Sequence, residues 1–245
     1  MIYFIADAHL GSRLVKDPRK HEMQLVNWLD KIKHDAEAIY MLGDMFDFWF
    51  EYKTVVPKGF VRFLGKMAEL TDRGIEIHYF TGNHDIWTFG YLEQEIGLIV
   101  HRSNETIEIN GKKFFLAHGD GLFLEDKGFK LIRTVFHSKT CQQIFRMIPP
   151  AIGQNFGYTW SKNNREKIMH LENKYQGEEN EILVVFAKKY IKTHKVDYLL
   201  FGHRHVELDL QLENQSRIII LGDFIGIYSY GVFNGEDLWL ETYSE

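Results

Sequence analysis

Residues 39–44 read IYMLGD, four apolar residues that run directly into a glycine and an aspartate, and this pattern indicates the class of the fold. β-Branched and aromatic residues favour a buried strand, and Gly43 allows a sharp turn at its end. The same pattern, an apolar run that ends in an aspartate, asparagine or histidine, recurs at residues 2–7, 75–83, 113–118 and 196–203. Because the carboxyl ends of parallel strands meet at one edge of a sheet, we predict that these polar side chains lie close together.

Helical periodicity fills much of the sequence between these runs. Apolar residues recur at helical spacing over residues 19–34 and 59–73. Residues 206–243 instead alternate at strand spacing and predict antiparallel strands. Strands that alternate with helices predict an α/β architecture with mainly parallel inner strands.

The composition is that of a protein with a substantial core. Of the 245 residues, 45% are hydrophobic and 26% are charged, which fits one large domain or a core with an insertion. The net charge of -5 argues against general binding to nucleic acid, and no such partner is expected. Cys141, the single cysteine, excludes an intrachain disulfide and fits a reducing compartment. Since the sequence shows neither a signal-peptide pattern nor an apolar run of about 18 residues, we expect a cytoplasmic protein.

Five motifs carry side chains of the types that bind divalent metal ions. They are Asp7-Ala8-His9, Gly43-Asp44, Gly82-Asn83-His84-Asp85, His118-Gly119-Asp120 and Gly202-His203-Arg204-His205. Mixed imidazole and carboxylate ligands suit manganese, iron or zinc better than calcium. Two such ions about 3.5–4 Å apart can clamp a phosphoryl group. Each motif alone also fits a turn or a core histidine, but the five together predict a two-metal hydrolase site.

The residue types suggest two metal sites that share Asp44 as a bridge. The first site would be completed by Asp7, His9 and one of the two histidines of the fifth motif, His203 or His205. The second would be completed by Asn83, His118 and the other of these two histidines. Three further carboxylates are predicted to orient the ligands, namely Asp47, Asp85 and Asp120. His84 precedes Asp85, which could set the tautomer of its ring, and the structural alternative is an imidazole that caps a helix.

The order and types of these motifs resemble the calcineurin-like metallophosphoesterase superfamily from residue 1 to about residue 223. The resemblance implies a four-layer α/β-β/α sandwich that forms a single domain over residues 1–245. It assigns His205 to the first metal and His203 to the second. It also gives His84, together with the bridging Asp44, a catalytic part, with His84 as a general acid or a phosphate-polarising group.

Residues 125–195 are predicted to form a helical insertion within this domain, a lid over the site. Its stretch 127–167 holds eight lysines and arginines against one acid, Glu166, together with many aromatic and aliphatic residues. This composition fits a lid over an acylated, phosphorylated substrate, a surface for anionic lipid, a nucleic-acid patch, or an amphipathic helix pair with solvated lysines. The high apolar content favours the acylated substrate.

With this insertion, the chain resembles one family in particular, the UDP-2,3-diacylglucosamine pyrophosphohydrolases of lipid A synthesis. The matching motifs are Ala6-Asp7-Ala8-His9-Leu10, Leu42-Gly43-Asp44-Met45-Phe46, Asp126-x-Gly128-Phe129 and Leu221-Gly222-Asp223. The resemblance implies cleavage of the pyrophosphate to UMP and the acylated sugar 1-phosphate, two manganese ions, and a peripheral position on anionic lipid of the inner membrane. It places Asp126 and Ser161 near the substrate, and the charge and position of Arg165 suggest a further contact.

One departure from that resemblance is His84, which stands where the well-known members have an arginine. A histidine would also serve poorer leaving groups than a phosphate monoester. A metal-dependent phosphodiesterase or phosphatase that acts on a nucleotide or another small phosphoester is therefore a second hypothesis. A metal-free scaffold that binds partners is a third, and the complete set of ligand residues argues against it.

Overall fold

The computed structural model describes residues 1–122, 133–172 and 174–244, with side chains for all of these except residues 167–172. In chain order the elements are β1 (Ile2–Ile5), α1 (Pro18–Ile32), β2 (Ala38–Leu42), α2 (Val61–Asp72), β3 (Glu76–Phe80), α3 (Tyr91–Ile96), β4 (Ile99–His101), β5 (Glu105–Ile109), β6 (Lys112–Ala117), α4 (Lys139–Arg146), α5 (Pro150–Glu172), α6 (Ile182–Tyr190), β7 (Tyr198–Phe201), β8 (Glu207–Gln211), β9 (Arg217–Leu221), β10 (Ser229–Phe233) and β11 (Leu238–Thr242). Within the described ranges, none of the helices combines the length and the apolar character needed to span a bilayer.

The strands form two sheets. In the first sheet the order is β11-β10-β1-β2-β3-β4, and β1 to β4 run parallel to one another. In the second sheet the order is β5-β6-β7-β9-β8, with β6, β7 and β9 parallel and antiparallel strands at both edges. The predicted α/β class with mainly parallel inner strands is therefore confirmed.

The two sheets face each other, and helices cover their outer faces. Phe4 and Leu42 of the first sheet belong to the same buried cluster as Phe114 and Leu200 of the second. The outer face of the first sheet packs against α1 and α2, and the outer face of the second packs against α6. The layers are thus helices, sheet, sheet and helix, and most strands are buried on both faces, which is why they read as continuous apolar runs.

Local sequence explains where the helices begin. Asp17 caps α1 by accepting a hydrogen bond from the backbone N–H of Lys20, and Pro18 occupies the first turn, where no intrahelical donor is needed. The helix predicted over 59–73 begins later than expected, at Val61. The reason is that Gly59 and Phe60 have positive φ angles of 108° and 58°, which helical residues cannot adopt.

The described part of the predicted insertion, residues 125–195, contains α4, α5 and α6, and α6 packs on the second sheet as part of the core. The break between α4 and α5 falls at Pro149 and Pro150, the two prolines that interrupt the helical pattern of the sequence. α5 approaches the body of the protein closely because it presents glycine there. A Cβ atom at Gly157 would lie 2.4 Å from the ring of Phe48, and one at Gly153 would lie 2.2 Å from the hydroxyl of Tyr52.

Candidate active site

The predicted ligand residues come together where strands of both sheets end. Asp7 and His9 follow β1, Asp44 follows β2, and the remaining ligands follow β3, β6 and β7. Nε2 of His9 and Nε2 of His205 each lie 3.6 Å from Oδ1 of Asp7. Oδ2 of Asp44 lies between the two halves of the cluster, 4.0 Å from Nε2 of His9 and 3.3 Å from Nε2 of His118.

Among the described residues, three overlapping groups of side chains converge closely enough to hold a metal ion. They are Asp7–His9–His205, His9–Asp44–His84 and Asp44–His118–His203. Asn83 joins the last group, because its Oδ1 lies 3.2 Å from Nε2 of His118. The first and last groups correspond to the two predicted metal sites, and Asp44 lies between them as the predicted bridge.

The ligand candidates have strained backbones. Asp7, His9, Asp44 and His203 all adopt positive φ angles, of 55°, 44°, 53° and 66°. Left-handed conformations are costly for residues with a Cβ atom, and they cluster at functional sites where the surrounding structure imposes them. The strain therefore supports a functional interpretation of these turns.

Close backbone approach also shapes the cluster. A Cβ atom at Gly43 would lie 2.6 Å from Nδ1 of His118, and one at Gly82 would lie 2.2 Å from Oδ1 of Asp44. Any larger residue at either position would push a ligand candidate out of place. The glycines of the two motifs are therefore required by the packing around the ligands.

The donor atoms fit metal ions. Asp7 and His9 are buried, yet Oδ1 of Asp7 and Nε2 of His9 have no hydrogen-bond partner within the described part of the chain. Burying unpaired polar atoms is costly, so such atoms require a partner of another kind. Burial opposes ionisation of Asp44, but the imidazoles of His118 and His84 hold the pKa of its carboxyl well below the usual range. Ionised carboxylates and free imidazole nitrogens are the ligands that divalent metals need.

Neighbouring groups orient the imidazoles so that Nε2 points inward. Nδ1 of His118 donates to the carbonyl of Leu42 at 2.8 Å, and Nδ1 of His205 donates to Oδ2 of Asp223 at 3.0 Å. No role for Asp223 was predicted from the sequence. The only signal was its position after an apolar run and a glycine, the same pattern as in residues 39–44.

The three predicted orienting carboxylates have different contacts. Oδ1 of Asp47 lies 3.6 Å from Nδ1 of His9, so it faces that ring from just beyond hydrogen-bond distance. Asp85 accepts hydrogen bonds from the backbone N–H groups of Gly82 and Met45, so it ties the turns after β3 and β2 together. Oδ2 of Asp120 lies 3.3 Å from Nε of Arg133.

The prediction that Asp85 sets the tautomer of His84 is wrong. Nδ1 of His84 lies 2.9 Å from the backbone carbonyl of Asp47, to which it donates, so Nε2 faces the cluster at 3.9 Å from Oδ2 of Asp44. The carboxylate of Asp85 is turned away from the ring by its bonds to the two backbone turns and to the hydroxyl of Tyr79.

A cleft opens beside His84, between the ligand loops and the insertion. Its apolar lining consists of Phe48, Ile86, Trp87, Phe136, Phe156 and Trp160, and its polar lining includes Asn83, His84, Asp120, Arg133 and Ser161. Ser161 is buried, and its hydroxyl has no hydrogen-bond partner among the described residues. Arg165 is buried with Nη1 at 3.3 Å from Oδ1 of Asp47. Asp126, the remaining predicted substrate contact, lies outside the described residues.

A two-sheet α/β fold that collects aspartate, asparagine and histidine side chains at its strand ends is the arrangement of a metallophosphoesterase. The profile of the calcineurin-like phosphoesterases matches residues 1–207, and the chain belongs to that family. It is therefore a metal-dependent hydrolase, and the scaffold hypothesis is disfavoured.

The curated relatives extend over nearly the whole chain. The UDP-2,3-diacylglucosamine hydrolase of Porphyromonas gingivalis is 45% identical over 253 residues, covering 98% of this chain and 97% of the relative. The enzyme of the same name from Haemophilus influenzae strain Rd is 28% identical and covers 91% of this chain and 90% of its own length. Among solved structures, YfcE, a phosphoesterase from E. coli, aligns over 94% of this chain and 86% of its own at 14% identity, with a TM-score of 0.44.

Proposed function

We propose that this protein hydrolyses the pyrophosphate bond of UDP-2,3-diacylglucosamine, giving UMP and 2,3-diacylglucosamine 1-phosphate for lipid A synthesis. The similarity to the P. gingivalis hydrolase, 45% identical over nearly the full length of both chains, carries this proposal. The apolar cleft beside the metal-ligand cluster supports it, because a substrate with two acyl chains needs an apolar surface next to the reacting phosphates.

Two metal ions fit the donor set of the cluster. Asp7, His9, Asp44 and His205 would hold the first ion, and Asp44, Asn83, His118 and His203 would hold the second. The mixed oxygen and nitrogen donors suit manganese, and iron or zinc would also fit. When bound, the pair supplies an activated water and neutralises the charge that develops on the phosphoryl group.

The protein's own contribution near the phosphorus comes from His84. The hydrogen bond from its Nδ1 to the carbonyl of Asp47 fixes the ring and leaves Nε2 facing the space beside Asp44. When both ring nitrogens are protonated, Nε2–H can donate a hydrogen bond to a phosphoryl oxygen or a proton to the leaving oxygen from there. The leaving group in this reaction is a phosphate monoester, which departs readily, so stabilisation of charge is the larger part of this role.

The helices of the insertion provide the acyl-binding surface. Phe136, Phe156 and Trp160 face the cleft from the insertion, opposite Phe48 and Trp87 of the body. Each methylene of an acyl chain buried there would contribute about 0.8 kcal/mol to binding. Arg133 and Ser161 add polar groups at the same wall, so one surface serves both the phosphates and the chains.

The outer surface of the insertion makes the proposed contact with anionic lipid at the membrane. Ile144, Met147 and Ile152 are 59%, 84% and 61% exposed, an unusual degree for large apolar residues. Ile144 lies on α4 together with Lys139 and Arg146, Met147 directly follows that helix, and Ile152 lies on α5. Exposed apolar residues beside basic ones are typical of surfaces that bind an anionic membrane.

The test is direct. Manganese-loaded protein is incubated with UDP-2,3-diacylglucosamine in detergent, and release of UMP is followed beside hydrolysis of a chromogenic phosphodiester. We expect UMP release to exceed the chromogenic reaction greatly and to disappear in Asp44→Ala. Brisk cleavage of the chromogenic ester without UMP release would refute the proposed substrate. It would instead favour the second hypothesis, a phosphoesterase for small substrates, to which a histidine at position 84 is also suited.

A further inference from the structure

Arg204 lies between two of the proposed metal ligands, His203 and His205, and is held by a buried carboxylate. Its Nε donates to Oε1 of Glu181 at 2.9 Å, and its Nη2 donates to Oε2 of the same residue at 3.1 Å. Glu181 is 1% exposed, so this is a bidentate ion pair with a buried carboxylate. Arginine suits such a pair because its planar guanidinium matches the two carboxylate oxygens, whereas lysine offers a single point of charge.

The backbone that carries Arg204 is tightly turned. The N–H of Arg204 donates to the carbonyl of Gly202 at 2.7 Å, and the N–H of Val206 donates to the carbonyl of Arg204 at 2.5 Å. His203 has a φ angle of 66°. A turn with such strain persists only where contacts outside it hold it in place.

Contacts outside the turn hold it from two directions. The N–H of His203 donates to Oδ2 of Asp7 at 2.8 Å, which links the turn to the first sheet. The side chain of Arg204 links the turn in the other direction, to Glu181 and to the carbonyl of Lys174 at 3.1 Å. Both of these partners belong to the segment that joins α5 to α6.

Glu181 is held in place by the helix that follows it. It directly precedes α6, whose residues Leu183, Val184 and Ala187 are buried against the second sheet. The pair therefore fixes the turn against a helix that belongs to the core. Because the turn carries one proposed ligand for each metal ion, its position affects both sites.

We infer that Arg204 and Glu181 are positioning residues that hold His203 and His205 in the geometry required for metal binding. This inference rests on the proposed metal centre. Groups that orient metal ligands typically change metal affinity about 10–100-fold when they are replaced, although they never touch the ion. The pair would thus set how tightly the ions bind, without taking part in the chemistry.

The experiment measures manganese affinity directly, independently of any substrate. Manganese-loaded, full-length protein is titrated with a chelator, and the Mn²⁺ released is quantified by electron paramagnetic resonance. We expect Glu181→Gln and Arg204→Ala to bind manganese about 10–100-fold more weakly. Arg204→Lys should show a smaller loss, because it keeps the charge and one of the two contacts.

A matched control comes from the second sheet itself. Arg217 and Asp209 form another bidentate arginine–carboxylate pair. It lies at the end of β9 that is remote from the proposed ligands. Arg217→Lys is expected to leave manganese affinity unchanged. Thermal unfolding monitored by circular dichroism verifies that each variant is folded at the temperature of the titration.

Three results would overturn the inference. One is unchanged manganese affinity in folded Glu181→Gln and Arg204→Ala. Another is an equal loss in Arg217→Lys, which would indicate a general loosening of the sheet. The third, wild-type protein that retains no manganese, would refute the proposed metal centre as well and so is distinguishable from a failure of the inference alone.

Discussion

Nδ1 of His205 donates a 3.0 Å hydrogen bond to Oδ2 of Asp223, and the other oxygen of that carboxylate accepts the backbone N–H groups of Gly226 and Ile227. Burial raises the pKa of Asp223, but the hydrogen bond and charge of His205 and these backbone donors lower it to about 2. The carboxylate is therefore ionised throughout the physiological pH range. It fixes the ring so that Nε2 faces Asp7 and makes that nitrogen a stronger ligand.

Replacing Asp223 with asparagine should weaken manganese binding about 10–100-fold, since the amide cannot stabilise the imidazole as a carboxylate does. Chelator competition measures the change. Asp209→Asn, on β8, is the matched control and should retain wild-type affinity. Equal affinities in all three proteins would show that His205 needs no orienting carboxylate or is not a ligand.

His84→Ala should lower turnover by about 10²–10⁴-fold, because it removes the group that faces the phosphoryl oxygens. The manganese content should remain that of the wild type. Turnover is measured as UMP release, and the metal is counted by elemental analysis of the same preparation. Loss of metal from this variant would instead place His84 among the ligands. His84 lies close enough to His9 and Asp44 to share an ion with them.

Gly157→Ala should impair use of the acylated substrate by about tenfold in kcat/KM. The added methyl group meets the ring of Phe48 at 2.4 Å and would push α5 away from the body. Hydrolysis of a small chromogenic phosphodiester should be unaffected, since it does not need the cleft. The control is Gly65→Ala on α2, where a Cβ atom meets nothing within 4 Å. A variant that lost both activities equally would argue against a role of α5 in acyl binding.

The part of the protein's stability that depends on His78 should fall as the pH drops below about 6.5, the ordinary pKa of histidine. Burial and the nearby His101 lower the pKa of His78, so the unfolded chain takes up a proton that the folded chain excludes. One such proton reduces the free energy of unfolding by up to about 1.4 kcal/mol per pH unit. This part of the stability is thus complete above pH 6.5 and declines below it.

His78→Phe, which keeps an aromatic ring to stack on Tyr40, should show a smaller decline between pH 7.5 and 5.5. Urea unfolding at both pH values measures it. His34→Gln, at an exposed position, is the control and should behave as the wild type. Identical pH dependence in the wild type and His78→Phe would contradict the assignment of this loss of stability to His78.

The double variant Ile144→Asn/Met147→Gln should bind anionic phospholipid vesicles at least tenfold more weakly than the wild type. It removes two exposed apolar side chains, each able to contribute about 1.5–3 kcal/mol when buried in lipid. Sedimentation with vesicles measures binding. Val61→Asn, at a 73% exposed apolar residue on α2, is the control. A comparable loss in the control, or none in the double variant, would count against the insertion as the membrane-facing surface.

The α/β class and the residues that gather at the strand ends were predictable from local sequence patterns. Both follow from local rules, because a buried parallel strand is mostly apolar and the chain must turn after it. The pattern of residues 39–44, repeated at four other strands, was therefore enough to predict that Asp7, Asp44, His118 and His203 would meet. It did not reveal that Gly59 and Phe60 delay the start of α2, since a left-handed backbone leaves no trace in hydrophobic periodicity.

Packing between distant segments set which side chains pair around the proposed ligands. His205 pairs with Asp223 across 18 residues, Arg204 with Glu181 across 23, and Arg165 with Asp47 across 118. The prediction for Asp85 failed for the same reason, because adjacency in sequence suggested His84 as its partner. Such pairs depend on the register of two sheets and on how closely helices approach them, and these are set by packing between segments remote in sequence rather than by the composition of any one segment.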